Sequence, residues 1–355
     1  MSKQVVGLKL GASRLTAARL EVNGSAELLQ LAESPLPQGV IAGGEVRDVP
    51  ALAEALKEFF RRHKLPKRNV RIGVANNRIG VRTIEVAGIE DPKQLANAVR
   101  FRAQEALPIP IDQAVLDFQV LSESANAEGQ PVRRVLLVVA YRDLVQAYIE
   151  ACRLAGVRLA GVDLEAFALL RALTPAGPPT ELAPDRSALV AVSVGSERSV
   201  LAVSDGTSCE FTRILDWGGN SMTIAVGRAL ELEIQEAERV KIELALQGDT
   251  VPEGLTPERA VQAREALVSA LQAFGRELVS SLQFYQGQPD SLGIREIVLA
   301  GGTARLAGLA AELQRLVGVP VRVGDPLVGV AVGKRLRGDS PSPSHAVPIG
   351  LGMAV

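Results

Sequence analysis

The chain has 355 residues, which exceeds one ordinary domain of about 100–200 residues and predicts two. Hydrophobic residues make up 47% and charged residues 22%, and the formal net charge is −1, which excludes a mainly disordered chain and argues against nucleic-acid binding. The two cysteines, Cys152 and Cys209, and the two histidines, His63 and His345, are widely separated in sequence. They favour a reducing cytoplasm over a disulfide framework or a zinc cluster. No apolar run approaches the roughly 20 residues that span a bilayer, so we expect no direct membrane insertion.

The N-terminal sequence predicts a strand, a glycine turn and a second strand. An apolar run from Val5 stops at Gly11, Ala12 and Ser13 and then resumes until Asn23-Gly24, a hairpin signal. The same pattern recurs around Gly195 and Ser196. Aligning the two turns gives an offset of 195 − 11 = 184, about half the chain. A duplication of this kind predicts two related halves.

Alternating helical and strand periods predict α/β structure between the two hairpins. The predicted elements are a helix from Asp48 to Lys64, strands Val70–Ala75 and Arg78–Val86, a helix Asp91–Ala106, strands Ala114–Leu121 and Arg133–Tyr141, and a helix Asp143–Ala155. The basic run 61–68 could be a phosphate or membrane patch, but we interpret it as the solvated end of the first helix. The proline-rich stretch 174–179 predicts a linker between the halves.

A third glycine turn, formed by Gly301, Gly302 and Thr303, follows an apolar strand and precedes a helix predicted from about Leu306. Each turn alone is also typical of an ordinary hairpin or loop. Three turns at the carboxyl ends of strands are more informative, because glycine lets backbone N–H groups approach an anion closely. The sequence therefore indicates a phosphate-binding cleft.

These features together resemble the actin, Hsp70 and sugar kinase superfamily, and within it the PilM family of type IV pilus assembly proteins. The matching segments are 70–85, 100–121, 162–168, 218–220, 237–241, 301–306 and 347–353. The cell division protein FtsA is similar as well, but its membrane-binding amphipathic helix is missing from this sequence.

The resemblance implies an α/β, actin-like (ribonuclease H-like) duplicated two-domain fold with an FtsA/PilM-type subdomain insertion. The first domain would span residues 1–175, with its insertion at about 84–156. The second would span residues 184–336, with an insertion at about 225–270. Residues 345–355 would form a C-terminal segment that returns to the first domain.

The resemblance also implies that ATP binds between the domains. The implied nucleotide-binding residues are Lys9, Gly11, Ala12, Ser13, Gly195, Ser196, Gly219, Asn220, Glu238, Lys241, Gly301, Gly302, Thr303 and Arg305. The assignments of Glu238 and Lys241 stay open, because the acidic residues from Gln235 to Lys241 could equally form an exposed helix face with i,i+3 and i,i+4 pairs.

The sequence departs from the family where relatives usually carry aspartates that hold hydrated Mg²⁺. Those positions are Lys9 and Ser193 here, and an ammonium or a hydroxyl is a poor substitute for a carboxylate ligand. We therefore expect weak Mg²⁺ dependence and at most a weak ATPase. Lys9 could contact a phosphate directly, or it could pair with a carboxylate and close an unused cleft.

The function implied by the resemblance is a cytoplasmic scaffold of a type IV pilus machine, or of a related secretion or DNA-uptake machine. It would be peripheral to the inner membrane through the N-terminal cytoplasmic peptide of PilN, and other pilus inner-membrane components or a homo-oligomer are further expected partners. The expected peptide-binding residues are Arg82, Asn97, Arg100, Phe101 and Gln104, although Phe101 could equally anchor the core of the insertion. The alternatives are an actin-superfamily ATPase or small-molecule kinase, and an FtsA-like filament former.

Overall fold

The computed structural model describes residues 3–354 except 90, 107–109, 127–128, 175–186 and 290, so the predicted linker after Thr174 lies outside the described residues. In chain order the strands are β1 (Lys3–Leu10), β2 (Arg14–Asn23), β3 (Ser25–Pro35), β4 (Ile41–Ala42), β5 (Glu45–Val46), β6 (Val70–Val74), β7 (Ile79–Ala87), β8 (Ala114–Ala125), β9 (Pro131–Tyr141), β10 (Leu159–Leu164), β11 (Ser187–Val194), β12 (Ser199–Ser204), β13 (Cys209–Leu215), β14 (Gly293–Ala300), β15 (Val321–Val323) and β16 (Val330–Arg337).

The helices lie between these strands and at the C-terminal end. They are α1 (Val49–His63), α2 (Pro92–Ala106), α3 (Arg142–Leu154), α4 (Glu165–Leu173), α5 (Gly219–Leu230), α6 (Ile234–Glu243), α7 (Pro257–Gln286), α8 (Leu309–Val317) and α9 (Ala346–Met353). Short 3-10 turns cover Ile111–Gln113, Gly302–Arg305 and Pro343–His345. In the part of the chain that the structure describes, no helix has the length and apolar content to cross a membrane.

Two mixed sheets repeat one topology. The first has the order β10-β6-β1-β2-β3-β16 and the second the order β13-β12-β11-β14-β15. In each sheet, three strands that follow one another in the chain pair in antiparallel fashion. Two further strands lie on the other side of the first of these three and run parallel to it. The turns match as well, because Gly11 N–H donates to Arg14 O at 3.0 Å and Gly195 N–H donates to Arg198 O at 2.9 Å. The offset is again 198 − 14 = 184, so the predicted duplication is confirmed.

The core of the first sheet explains why α1 forms where the sequence predicts it. The side chain of Asp48 caps the helix by accepting from Ala51 N–H at 2.9 Å. Leu52, Leu56 and Phe59 lie on one helical face and are buried against the sheet. Helix α3 packs against α1 in the same core, and α5 to α8 cover the second sheet in a separate core.

Helices α4 and α9 lie between the two sheets in a core that both halves share. Their backbones approach so closely that a Cβ on Gly350 would lie 1.8 Å from the carbonyl oxygen of Ala168. Helix α9 also packs against β1 and β2. The two sheets are therefore joined by a crossing of helices in which only glycine fits at the contact.

A small third sheet, β7-β9-β8, is covered on one face by α2 through Leu95, Val99 and Ala103. This unit spans Ile79 to Tyr141. Helix α3, which the expected insertion of about 84–156 would include, packs instead in the core of the first sheet. Likewise, α7 continues as one helix beyond the expected insertion of about 225–270. The domain boundaries stay predictions.

Candidate functional site

In the second half, the predicted site residues form one connected cluster beside the turn of the second hairpin. The carbonyl of Gly195 accepts from Gly219 N–H at 2.8 Å and from the Thr303 hydroxyl at 3.1 Å. The carbonyl of Ser196 accepts from Asn220 N–H at 2.8 Å. Two main-chain hydrogen bonds and the Thr303 hydroxyl thereby hold together three loops that are far apart in sequence. The N-terminal N–H groups of Gly219 and Asn220 at the start of α5 are already used within the protein.

Lys241 and Glu238 are part of the same cluster. The Lys241 ammonium is buried and donates to the Gly219 carbonyl at 3.3 Å, to the Thr223 hydroxyl at 2.9 Å and to Glu238 Oε2 at 2.5 Å. Thr223 also donates to Glu238. Lys241 therefore fastens α6 to the beginning of α5. The i,i+3 pair that the exposed-face alternative expects is present between Lys241 and Glu238, with the glutamate 43% exposed and the lysine buried.

The third glycine turn depends on an unusual backbone conformation. Gly301 has φ of 88°, and a Cβ at this position would lie 2.3 Å from the Val194 carbonyl oxygen. Its N–H donates to Pro343 O at 3.0 Å. The helix predicted from about Leu306 begins later, at Leu309. A short 3-10 turn, Gly302–Arg305, precedes it. This turn brings Gly302 and Arg305 to the surface.

The C-terminal 3-10 turn that receives the Gly301 N–H contains a buried histidine. His345 Nδ1 accepts from Ser342 N–H at 3.1 Å, and its Nε2 has no partner among the described residues. Burial lowers the pKa of His345 below its usual value. The ring is therefore neutral at pH 7, and it belongs to the support of the glycine turn.

In the first half, Lys9 is held in an ion pair. Its ammonium lies 3.1 Å from Glu165 Oε2, and the side chains are only 17% and 8% exposed. Glu165 is the first residue of α4, directly after β10, and β10 is next to β6 in the sheet. Of the two roles expected for Lys9, the structure shows the ion pair with a carboxylate. Gly11, Ala12 and Ser13 follow at the turn, where no hydrogen bond joins them to the Gly195 cluster among the described residues.

The residues at the two expected metal positions do not fit Mg²⁺. Lys9 places a cation there, and Ser193 offers one buried hydroxyl without a hydrogen-bond partner among the described residues. Within the described ranges, no group of three or more His, Cys, Asp or Glu side chains could hold a metal ion. A hard cation prefers several oxygen ligands, usually carboxylates, and this donor set does not provide them.

The two halves also meet at the rim, through residues that the sequence did not single out. Glu197 Oε2 accepts from Gly43 N–H at 3.1 Å, and Asp216 accepts from the Asn77 side chain at 3.0 Å. Asp216 further pairs with Arg198 at 3.2 Å. The only sequence signal was the glycine pair at 43–44, which adopts positive φ where it reaches the second half.

The expected peptide-binding residues lie on and near α2. Asn97, Arg100 and Phe101 are exposed on one helical face, while the opposite face is buried. Phe101 is 62% exposed, so it does not anchor the core of the small sheet. Arg82 on β7 is exposed, and within the described part of the chain it donates to the carbonyl of Val81. Gln104 is a later residue of α2, and its side chain lies outside the described residues.

Comparison with known families decides the relationship of the whole chain. A family model described as type IV pilus assembly protein PilM matches residues 7–355. The chain belongs to the PilM family. The expectation drawn from the hairpins and loops is thus confirmed at the level of the family.

Individual relatives agree with this PilM-family assignment. A solved PilM–PilN type IV pilus biogenesis complex contains a chain that is 28% identical, with a TM-score of 0.80 over 98% of this chain and 97% of that one. Cell division protein FtsA of Pseudomonas aeruginosa is 25% identical over 91% of this chain and 83% of its own length. MreB5 of Spiroplasma citri, solved with ADP, is 13% identical with a TM-score of 0.55 over 98% and 94% of the two chains. The actin-like, two-domain α/β fold is confirmed.

Several implied nucleotide-binding residues of this PilM-family chain keep free polar groups. The side chains of Ser13, Ser196 and Arg305 make no hydrogen bond or ion pair with the residues that the structure describes. A Cβ on Gly302 would meet no atom within 4 Å, so open space adjoins its backbone. These groups could take a phosphate without breaking an internal contact. Thr303, Glu238 and Lys241, by contrast, would have to exchange one.

Proposed function

We propose that this PilM-family chain is a scaffold of a type IV pilus machine that binds the N-terminal cytoplasmic peptide of a PilN-type inner-membrane protein. It would act at the cytoplasmic face of the membrane and be held there through that partner. The observation that carries the proposal is the exposed face of α2, where Phe101 stands among polar and cationic side chains with most of its ring in solvent. Exposed aromatic and arginine side chains of this kind are enriched in protein–protein contacts.

The neighbouring strand offers a second element of recognition. Strand β7 is at the edge of the small sheet and pairs only with β9 among the described strands. An extended peptide beside such an edge gains main-chain hydrogen bonds, and side-chain pockets then supply specificity. Arg82 on β7 and Arg100 on α2 place positive charge on both elements. They suit a peptide with acidic or carbonyl-rich positions between its apolar anchors.

Titration of a labelled PilN-type peptide tests this site. Arg82→Glu with Arg100→Glu should weaken binding by roughly tenfold or more, since two favourable charge contacts become repulsive. Phe101→Ala should weaken it by a similar factor through the loss of an aromatic anchor. The thermal midpoint should change little in both variants, because these side chains are exposed.

The matched control is Arg213→Glu with Arg228→Glu, which makes the same charge change on exposed arginines of the second half. It should leave the affinity for the peptide unchanged. Normal binding by the Arg82→Glu, Arg100→Glu variant and by Phe101→Ala, with protection from hydrogen exchange mapping to the second half, would show that the partner docks elsewhere.

We further propose that the cleft binds ATP with little need for Mg²⁺ and hydrolyses it poorly. The support is the donor set: Lys9 and Ser193 stand at the metal positions, while Ser13, Ser196, Arg305 and open glycine backbone remain free for phosphate oxygens. The same positions weigh against a small-molecule kinase, which needs a carboxylate base near the transferred phosphate.

Isothermal titration with ATP in Mg²⁺ and in EDTA tests the cleft. The unmodified chain should show nearly equal affinity in the two buffers. Lys9→Asp with Ser193→Asp should bind more tightly in Mg²⁺ than in EDTA, because Glu165 and two new carboxylates would then supply hard oxygen ligands. An unchanged ratio would indicate a vestigial cleft. Mg²⁺-stimulated hydrolysis at about one turnover per second, an ordinary enzymatic rate, would contradict the proposal of poor hydrolysis.

A further inference from the structure

Two neighbouring loops form a cationic edge at one end of the first sheet. The loop after α1 contains Lys64, Lys67 and Arg68, and the turn after α3 leads to Arg158. These four residues are the basic edge. The loops are joined by backbone hydrogen bonds, because Arg158 N–H donates to Lys67 O at 2.7 Å and Arg158 O accepts from Val70 N–H at 3.3 Å. The Lys67 ammonium also donates to the Ala155 carbonyl at 3.1 Å.

The charge of the basic edge is not neutralised within the protein. The sequence from Phe59 to Ile84 has eight Lys and Arg residues and no Asp or Glu. The nearest glutamates on α1 and α3 pair with other arginines of their own helices. Lys64, Arg68 and Arg158 are exposed and form no ion pair with the described residues. Solvation of a helix end does not explain Arg158, which comes from a different element of the fold.

An exposed apolar side chain lies close to these cations. Leu154, the last residue of α3, is 42% exposed. Leu154 immediately precedes Ala155, whose carbonyl accepts from Lys67. Aliphatic side chains next to Lys and Arg suit the boundary between lipid headgroups and acyl chains.

The aromatic residues at this end of the first sheet do not suit single-stranded nucleic acid. The rings of Phe59 and Phe60 are buried, and the ring of His63 packs on Phe59 and contacts the Ser34 hydroxyl at 2.9 Å. They offer no exposed stacking platform for bases. The net charge of −1 for the whole chain also leaves little long-range attraction for nucleic acid.

We propose that the basic edge is a peripheral membrane-binding surface that contacts anionic phospholipid headgroups. Clustered cations gain binding energy near an anionic leaflet, and the gain falls off within a Debye length of about 8–10 Å at ordinary salt. The basic edge would bind lipid phosphates through Lys64, Arg68 and Arg158, with Leu154 at the acyl boundary. This contact requires no peptide partner, so it stands apart from the proposed function of α2.

Sedimentation of the full chain with vesicles tests the proposal without any peptide. The chain should bind vesicles of phosphatidylglycerol mixed with phosphatidylcholine, and it should bind pure phosphatidylcholine vesicles at least roughly tenfold more weakly. Arg68→Glu with Arg158→Glu should reduce partitioning to the anionic vesicles by roughly tenfold or more. Raising the salt concentration should also reduce partitioning of the unmodified chain to the anionic vesicles.

The control is Arg228→Glu with Arg276→Glu, which changes the net charge equally on exposed sites of the second half. It should keep the vesicle binding of the unmodified chain. If the reversals lower the thermal midpoint, Lys64→Gln with Arg68→Gln and Arg158→Gln provides a milder test with the same expected direction. Equal loss in the control would contradict the proposal, as would absence of binding to the anionic vesicles. Tighter binding to a DNA oligonucleotide, abolished by the same reversals, would assign the basic edge to nucleic acid instead.

Discussion

The two duplicated hairpins share one backbone conformation but contact different neighbouring residues. In the first, the strand position two residues before the glycine is Lys9, and its ammonium is neutralised by Glu165. In the second, the equivalent position is Ser193, and its buried hydroxyl is without a partner among the described residues. The first strand end is fixed by a side-chain ion pair. The second is fixed by hydrogen bonds that the carbonyls of its turn accept from other loops.

The turns differ in the same way. The Gly195 and Ser196 carbonyls receive N–H and hydroxyl donors from two other loops. No such donors reach Gly11 and Ala12 among the described residues, and the hydroxyl of Ser13 stays free. Duplication therefore preserved the strand–turn–strand geometry, which depends on local sequence. It did not preserve the contacts that hold each turn, because these come from distant segments. The halves should respond to different substitutions.

The largest effect is expected at the third glycine turn, which supports the second half. Gly301→Ala places a Cβ 2.3 Å from the Val194 carbonyl and imposes φ of 88° on alanine. Backbone strain and overpacking together should lower the free energy of unfolding by about 4 kcal/mol. Urea denaturation measures the change. Gly302→Ala is the control, since its Cβ would meet no atom within 4 Å, and it should cost under about 1 kcal/mol.

Breaking the ion pair should affect the first half almost as strongly. Glu165→Ala leaves the Lys9 ammonium largely buried without its carboxylate, which should cost about 3 kcal/mol. Lys9→Met with Glu165→Leu removes both charges and fills the space, so its stability should return to within about 1 kcal/mol of the unmodified chain. The same denaturation experiment compares them. Equal losses in the single and double variants would mean that packing, rather than charge, holds this site.

A pH dependence should test the support of the third glycine turn, because the 3-10 turn that accepts the Gly301 N–H ends at the buried His345. Burial lowers the pKa of His345, so its folded pKa lies below the unfolded value of about 6.5. The unfolded chain then binds more protons as the pH falls through 6.5, and stability decreases. The free energy of unfolding should therefore be lower at pH 5.5 than at pH 7.5, measured by denaturation at both values. His345→Asn should reduce that loss, while His63, whose pKa is also lowered by burial, remains in both proteins. A dependence unchanged by His345→Asn would assign the titration to another group.

The smallest effect is expected at Ser193. Its hydroxyl is buried and has no hydrogen-bond partner in the described ranges, so Ser193→Ala removes a desolvated polar group without breaking a described contact. The free energy of unfolding should stay the same or rise by up to about 1 kcal/mol. Thr303→Val is the contrast, because it deletes the hydrogen bond to the Gly195 carbonyl and should cost about 1 kcal/mol. A loss of stability in Ser193→Ala would reveal a partner for the hydroxyl.

The sequence alone was sufficient for the features that depend on nearby residues. Strand and helix periods located α1, and the recurrence of strand, glycine turn and strand at an offset of 184 revealed the two halves. Glycine turns also indicated which loops lie together in the second half, because backbone hydrogen bonding there needs residues without bulky side chains. The start of the helix near Leu306 was missed, since a 3-10 turn obeys no clear apolar period.

Only the tertiary structure could choose between alternatives whose deciding contacts are distant in sequence. Lys9 and its carboxylate are 165 − 9 = 156 residues apart, so periodicity carried no information about their pairing. Phe101 was equally consistent with a core and with a surface role until the packing of α2 put its opposite face against the small sheet. Local sequence determines backbone conformation through short-range sterics and hydrogen bonding. The environment of a charge or a ring is determined by whichever segments the fold brings beside it.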